Sequence, residues 1–115
     1  SEPVISAVLG ALDGPPRLRA TAVDVLAQLY GAESGEGRAP AEVLDRLTEA
    51  ASDPDENVQA AVIRALGDLG AGSESVHALL RVFADGEHPS LRLRAESALL
   101  RLDAAEKGAG GESRD

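Results

Sequence analysis

The chain has 115 residues, the size of one domain, and its 20 acidic residues against 11 basic ones give a net charge of −9. That balance excludes the usual nucleic-acid binder, which gains affinity by releasing counterions from phosphates, and it disfavours anionic lipid for the same reason. Hydrophobic residues make up 43% but include one Phe and one Tyr, so aromatic platforms for bases or sugars are missing. No apolar run approaches the roughly 20 residues of a membrane span, and the absence of cysteine excludes disulfides and thiolate metal sites.

Six helices are predicted in chain order. The first covers 3–12, where Val4, Ala7 and Ala11 share one face. After a turn at Asp13, Pro16 opens the second helix at 16–30, because a proline there gives up an amide that has no intrahelical partner. Its apolar stripe is Leu18, Ala22, Leu26 and Leu29, and Gly31 is expected as a left-handed cap. Residues 31–40 hold three glycines and predict a mobile surface loop, a tolerated insertion. The third helix, 41–52, carries Leu44, Leu47 and Ala51. Asp53 is the expected cap of the fourth, 54–69, with Pro54 at its first position and Glu56 three residues on. Val58, Val62, Leu66 and Leu69 form its stripe, and Gly70 is a second expected left-handed cap. A fifth helix at 74–84 presents Val76, Leu79 and Phe83, then turns at Asp85. Pro89 starts the sixth, 89–104, with Leu91, Ala95, Leu99 and Leu102. Residues 106–115 contain three glycines and no large apolar side chain, which predicts a disordered tail or linker.

These helices repeat. The stripe at positions 0, +4, +8 and +11 starts at Leu18, Val58 and Leu91, displaced first by 40 and then by 33 residues. Each stripe follows an acidic turn at Asp13, Asp53 or Asp85, and each turn follows an amphipathic helix. A hairpin of this kind cannot hide its own apolar faces, so three units (3–30, 41–70 and 73–104) must stack into one domain over residues 1–105.

The runs Val58-Gln-Ala-Ala-Val-Ile-Arg-Ala-Leu-Gly67 and Leu91-Arg-Leu-Arg-Ala-Glu-Ser-Ala-Leu99, each behind its acidic turn, resemble the HEAT repeat. The likeness is greater still to the HEAT-like repeats first named for phycobilisome lyases, and it covers about residues 3–105. The resemblance implies an all-α, right-handed α-solenoid of three helical hairpins. It also implies an arginine at position +1 that meets turn aspartates along the stack. Arg19 and Arg92 match this position, whereas Gln59 departs from it and interrupts the ladder. The family contains scaffolds, regulatory modules and a few enzymes.

Little in the chain suggests catalysis. His77 and His88 have no nucleophile or orienting group at a motif spacing; a solvated side chain and a helix cap are the expected roles. Asp53, Asp55 and Glu56 lack the further ligands and the glycine of a calcium loop, so capping accounts for them. No catalytic residue, metal or cofactor is expected, which leaves the surface.

Positions +2, +5 and +9 of the second helices point away from the main stripe. Val23, Ile63, Leu93 and Leu100 fall there and form a candidate partner-binding face, bordered by Asp24, Arg64, Asp68 and Arg101. The competing expectation is that these residues pack against neighbouring helices. Arg92, Arg94 and Arg101 cluster on the last helix, either solvated beside acids such as Glu96 or docking an acidic partner. With Leu91, Leu99 and Leu102, residues Leu93 and Leu100 make this helix apolar nearly all round, whereas a terminal repeat should be polar outside. A further element or a second chain is therefore expected there, a homo-oligomer through the C-terminal repeat included. The expected function is a cytoplasmic protein-interaction scaffold that binds a peptide or helix on the second-helix face. The alternative is a non-catalytic regulatory or lyase-type subunit that positions a substrate or cofactor for a partner enzyme.

Overall fold

Three helical hairpins follow one another in the computed structural model, which describes residues 2–31 and 39–114. They are α1 (Glu2–Ala11) with α2 (Pro16–Tyr30), α3 (Ala41–Ala50) with α4 (Glu56–Leu69), and α5 (Glu74–Ala84) with α6 (Pro89–Arg114). The second helices form the inner layer: α4 packs along both α2 and α6. Each first helix lies mainly on the second helix of its own unit. The architecture is an all-α solenoid of stacked hairpins, with no strand among the described residues. The insertion expected at 31–40 falls mostly on residues 32–38, outside those described.

The core follows the stripe most fully in the middle unit, where Val58, Val62, Leu66 and Leu69 are all wholly buried. Unit one departs from expectation. Val4 and Ala7 are exposed, while Leu9 and Leu12 are buried in their place. The reason is positional: α1 packs chiefly on α2, so only one flank of it is covered. Leu18 and Leu29, at stripe positions 0 and +11, are exposed as well, whereas their counterparts Val58, Leu69, Leu91 and Leu102 are buried.

The helix ends also refine the prediction. Pro16 and Pro89 do open α2 and α6. At α4, however, the cap is Asp55, whose carboxylate accepts hydrogen bonds from the amides of Asn57 (2.8 Å) and Val58 (3.1 Å). Asp53 is diverted to Arg19 and to the amide of Asp55 (2.9 Å), so α4 starts at Glu56, two residues late. Neither Gly31 (φ −77°) nor Gly70 (φ −97°) is left-handed. Space explains Gly70 instead, since a Cβ there would lie 2.5 Å from Val76 Cγ1. Among the described residues the left-handed one is Gly72 (φ +85°), just before the Ser73 cap of α5.

Residues 106–114, expected as a tail, continue α6 as helix. Glu106 supplies a physical reason. Its carboxylate accepts from the Gly72 amide at 2.7 Å and meets His77 Nε2 at 2.8 Å, tying α6 to the start of α5. The Gly72 amide, and after it His77, hold the Glu106 carboxyl below the usual glutamate range. His77 is therefore a packed tie between helices, its side chain 19% exposed, and not the solvated group expected. His88 does cap α6: its Nδ1 accepts from the Leu91 amide at 3.3 Å.

Candidate protein-docking surface

Positions +2, +5 and +9 have different fates along the stack. In units one and two they are buried or half-buried. Val23 and Ile63, both at +5, are 0% exposed. At +9 of unit two, a Cβ on Gly67 would lie 2.8 Å from Ala98 Cβ, so this glycine lets α6 approach α4 closely. Val23 and Ile63 are accordingly core residues, and their assignment to a partner-binding stripe is corrected: the next helix already covers them. Among the described residues no helix lies over the outer flank of α6, and there Leu93 at +2 is 66% exposed and Leu100 at +9 is 71% exposed. Glu96, between them at +5, is exposed too.

The remaining candidates come together at this edge. Arg64, Leu93, Arg94, Ser97 and Arg101 line a shallow concavity of about 340 Å³ between α4 and α6. The Arg101 guanidinium pairs with Asp68 of α4, and its Nη2 reaches the Arg64 carbonyl at 3.5 Å. That locks one wall of the groove. Arg64 and Arg94 are exposed and make no ion pair among the described residues. A chain of net charge −9 thus places two unpaired guanidiniums beside an exposed leucine. Ser97 of this lining is not singled out by the sequence, and Arg94 is expected only in the arginine cluster of the last helix; their positions, +3 and +6, join the groove only when α4 is set beside α6.

Of the two arginines that match the +1 position, Arg19 builds a rung of the ladder and Arg92 meets no carboxylate among the described residues. Arg19 Nη2 donates to Asp53 Oδ1 at 2.9 Å, and its Nε lies 2.6 Å from Oδ2. The Nε–H points off that oxygen, so one of the two contacts is a hydrogen bond and the other is Coulombic. Arg19 Nη1 also donates to the Gly14 carbonyl at 2.8 Å, so one side chain holds its own turn and the next. The hydrogen bond from Arg19 holds the Asp53 carboxyl below the usual aspartate range. Sequence reasoning missed a second link between units, in which Arg46 of α3 donates to the Leu9 carbonyl at 3.2 Å and lies 3.6 Å from Asp13. Asp85, which faces Gln59 in this register, receives no arginine among the described residues. Arg92 reaches only the Gly86 carbonyl, at 3.4 Å.

Outside these joints, the described residues hold no group of three His, Asp or Glu side chains close enough to share a metal ion. None of their helices is long and apolar enough to cross a membrane.

Hairpins stacked through their second helices, with Arg19 and Arg46 linking one unit to the next, define a helical-repeat solenoid. The HEAT repeats family model matches residues 2–100, and the chain belongs to that family. Neither a characterised protein nor a solved structure shows significant similarity to it.

Proposed function

We propose that this chain is a non-catalytic docking module whose binding surface is the open face of α6 and the groove beside α4. One observation carries the reading. Positions that hold small, half-buried or buried residues in the first two units (Ala20 and Ala60, Ala27 and Gly67) hold Leu93 and Leu100 in unit three, and both are largely exposed. Leaving two leucines about two-thirds exposed forgoes roughly 1–2 kcal/mol of apolar burial each, which a partner recovers when it covers them. Leu93 and Leu100 are the apolar anchors, and Arg64, Arg94 and Arg101 form a cationic rim that favours a partner segment bearing carboxylates. Membership of a family rich in protein scaffolds supports the same reading, and the +1 arginine used by Arg19 supports kinship with its phycobilisome-lyase branch.

A photo-crosslinking amino acid placed at Leu93 or Leu100, in the source cell, tests the surface. Both positions should yield protein adducts, while Val82, equally exposed at 67% on α5, should yield few. Equal labelling at all three positions, or none at Leu93 and Leu100, would overturn the assignment.

A further inference from the structure

The first and last units of the described stack expose complementary helix positions. Stripe positions 0 and +11 are buried in units two and three but open in unit one, where Leu18 is 52% and Leu29 37% exposed. Position +7 follows the same rule, buried at Ala65 and Ala98 and only half-buried at Val25. Positions +2, +5 and +9 run the other way: Val23, Ile63 and Gly67 are buried and Ala20, Ala27 and Ala60 half-buried in units one and two, whereas all three positions are exposed on α6. At the joint between units two and three, +9 of α4 (Gly67) meets +7 of α6 (Ala98); among the described residues the first flank is exposed on α6 and the second is largely open on unit one.

The charges match as the apolar positions do. Arg19 joins the Gly14 carbonyl of its own turn to the carboxylate of Asp53 in the next. Arg92, at the same position of unit three, grips the equivalent Gly86 carbonyl and meets no carboxylate among the described residues. Asp13, the equivalent of Asp53, meets no +1 arginine. Its side chain is 81% exposed and its ion pair with Arg46 is 3.6 Å long, which leaves it weakly held. Nor does its own turn hold it: Pro15 stands where Asp55 stands in unit two, and proline has no amide to donate.

We propose that the open face of α6 binds the N-terminal edge of a second copy of this chain. Unit one of the incoming copy stacks on unit three as unit two stacks on unit one, with Arg92 meeting Asp13 of the second copy. The proposal rests on the docking face argued above and names its occupant. Because the two surfaces differ, the contact is heterologous and grows head to tail. Glu96 replaces the buried Val23 and Ile63 at +5, so the joint is more polar than the internal ones and reversible. Arg17, exposed beside Leu18 and without an ion pair among the described residues, is the cation available to it.

Sedimentation of the 115-residue chain over a wide concentration range tests this. The average mass should climb with concentration and not stop at a dimer. Leu93→Glu blocks the C-terminal face and Leu18→Glu the N-terminal edge; both sites are exposed, so helicity should be unchanged by circular dichroism. Each variant alone should be monomeric, and an equimolar mixture should give a discrete dimer, since each supplies the half the other lacks. Arg92→Glu should weaken association by up to about fivefold, the range of an exposed ion pair, with recovery when it is mixed with Asp13→Arg. A wild-type chain that is monomeric throughout, a mixture that stays monomeric, or a Leu18→Glu variant that still self-associates would each overturn the proposal. Adducts at Leu93 to other proteins, with a monomeric wild type, would remove the second copy and leave the docking face standing. Absence of any adduct would remove both.

Discussion

Ile63 and Leu93 lie on the same outward flank of their helices, and the fold assigns them opposite environments. Ile63 is 0% exposed between α4 and its neighbours, and Leu93 is 66% exposed on α6. Truncating a wholly buried isoleucine to alanine removes its transfer free energy and leaves a cavity, about 2–5 kcal/mol in all. For a domain of this size each kcal/mol lowers Tm by roughly 4–8 °C, so a mid-range loss of about 3 kcal/mol predicts a fall of roughly 12–24 °C. Leu93→Ala gives up only the buried third of a side chain whose full burial contributes about 1.5–3 kcal/mol. Its expected cost is therefore about 0.5–1 kcal/mol, or a few degrees. Thermal melts followed by helical circular dichroism, at a concentration where the wild type is monomeric, measure both variants directly. If Leu93→Ala costs as much as Ile63→Ala, the face of α6 is not open and the docking argument fails. If Ile63→Ala melts like the wild type, the stacking register itself is wrong.

Other consequences are open to simpler tests. Asp53→Asn should lower stability at neutral pH and flatten the acid limb of the stability profile. The folded carboxyl lies below its ordinary 3.8, so its contribution is complete above that value and is lost as pH falls through the depressed one; urea titrations from pH 7 to pH 2 measure it, and an unchanged acid limb would refute the Arg19–Asp53 link. Gly67→Leu should prise α6 from α4, because even a Cβ at that site meets Ala98. Overpacking of this kind costs about 1–3 kcal/mol or more, and a melt at or above the wild-type temperature would contradict the crossing. Glu106→Ala should release the C-terminal turns of α6 from α5, seen as faster amide exchange beyond residue 103 with little change around Val62. Finally, titration with duplex DNA at physiological salt should show no binding, and a sub-micromolar complex with a steep salt slope would overturn the charge argument.

Much of the scaffold is legible along the chain because hairpin repeats obey local rules. A 3.6-residue periodicity places Val58, Val62, Leu66 and Leu69 on one face whatever they pack against, and a proline at a helix start needs no tertiary partner. The rules weaken where a residue has two possible roles. Asp53 and Asp55 both suit a cap; Arg19, 34 residues from Asp53 in sequence, takes one of them and leaves the cap to the other. Glycines at helix ends suggest a left-handed cap, yet Gly70 is needed to clear Val76, a side chain six residues ahead. The glycines beyond Lys107 argue against helix, but Glu106 finds the Gly72 amide and His77 across the interface with α5.

Local periodicity alone settles that this chain is three amphipathic hairpins obliged to stack, since each buries its apolar face only against a neighbour. Which apolar residues remain for a partner is a question of order in the stack. Val23, Ile63, Leu93 and Leu100 all lie on the outward flank of their helices, and nothing in any one helix separates them. The fold does: Val23 and Ile63 are wholly buried, whereas Leu93 and Leu100 stay exposed among the described residues. Burial depends on the helix that comes next in space, and only the assembled stack supplies it.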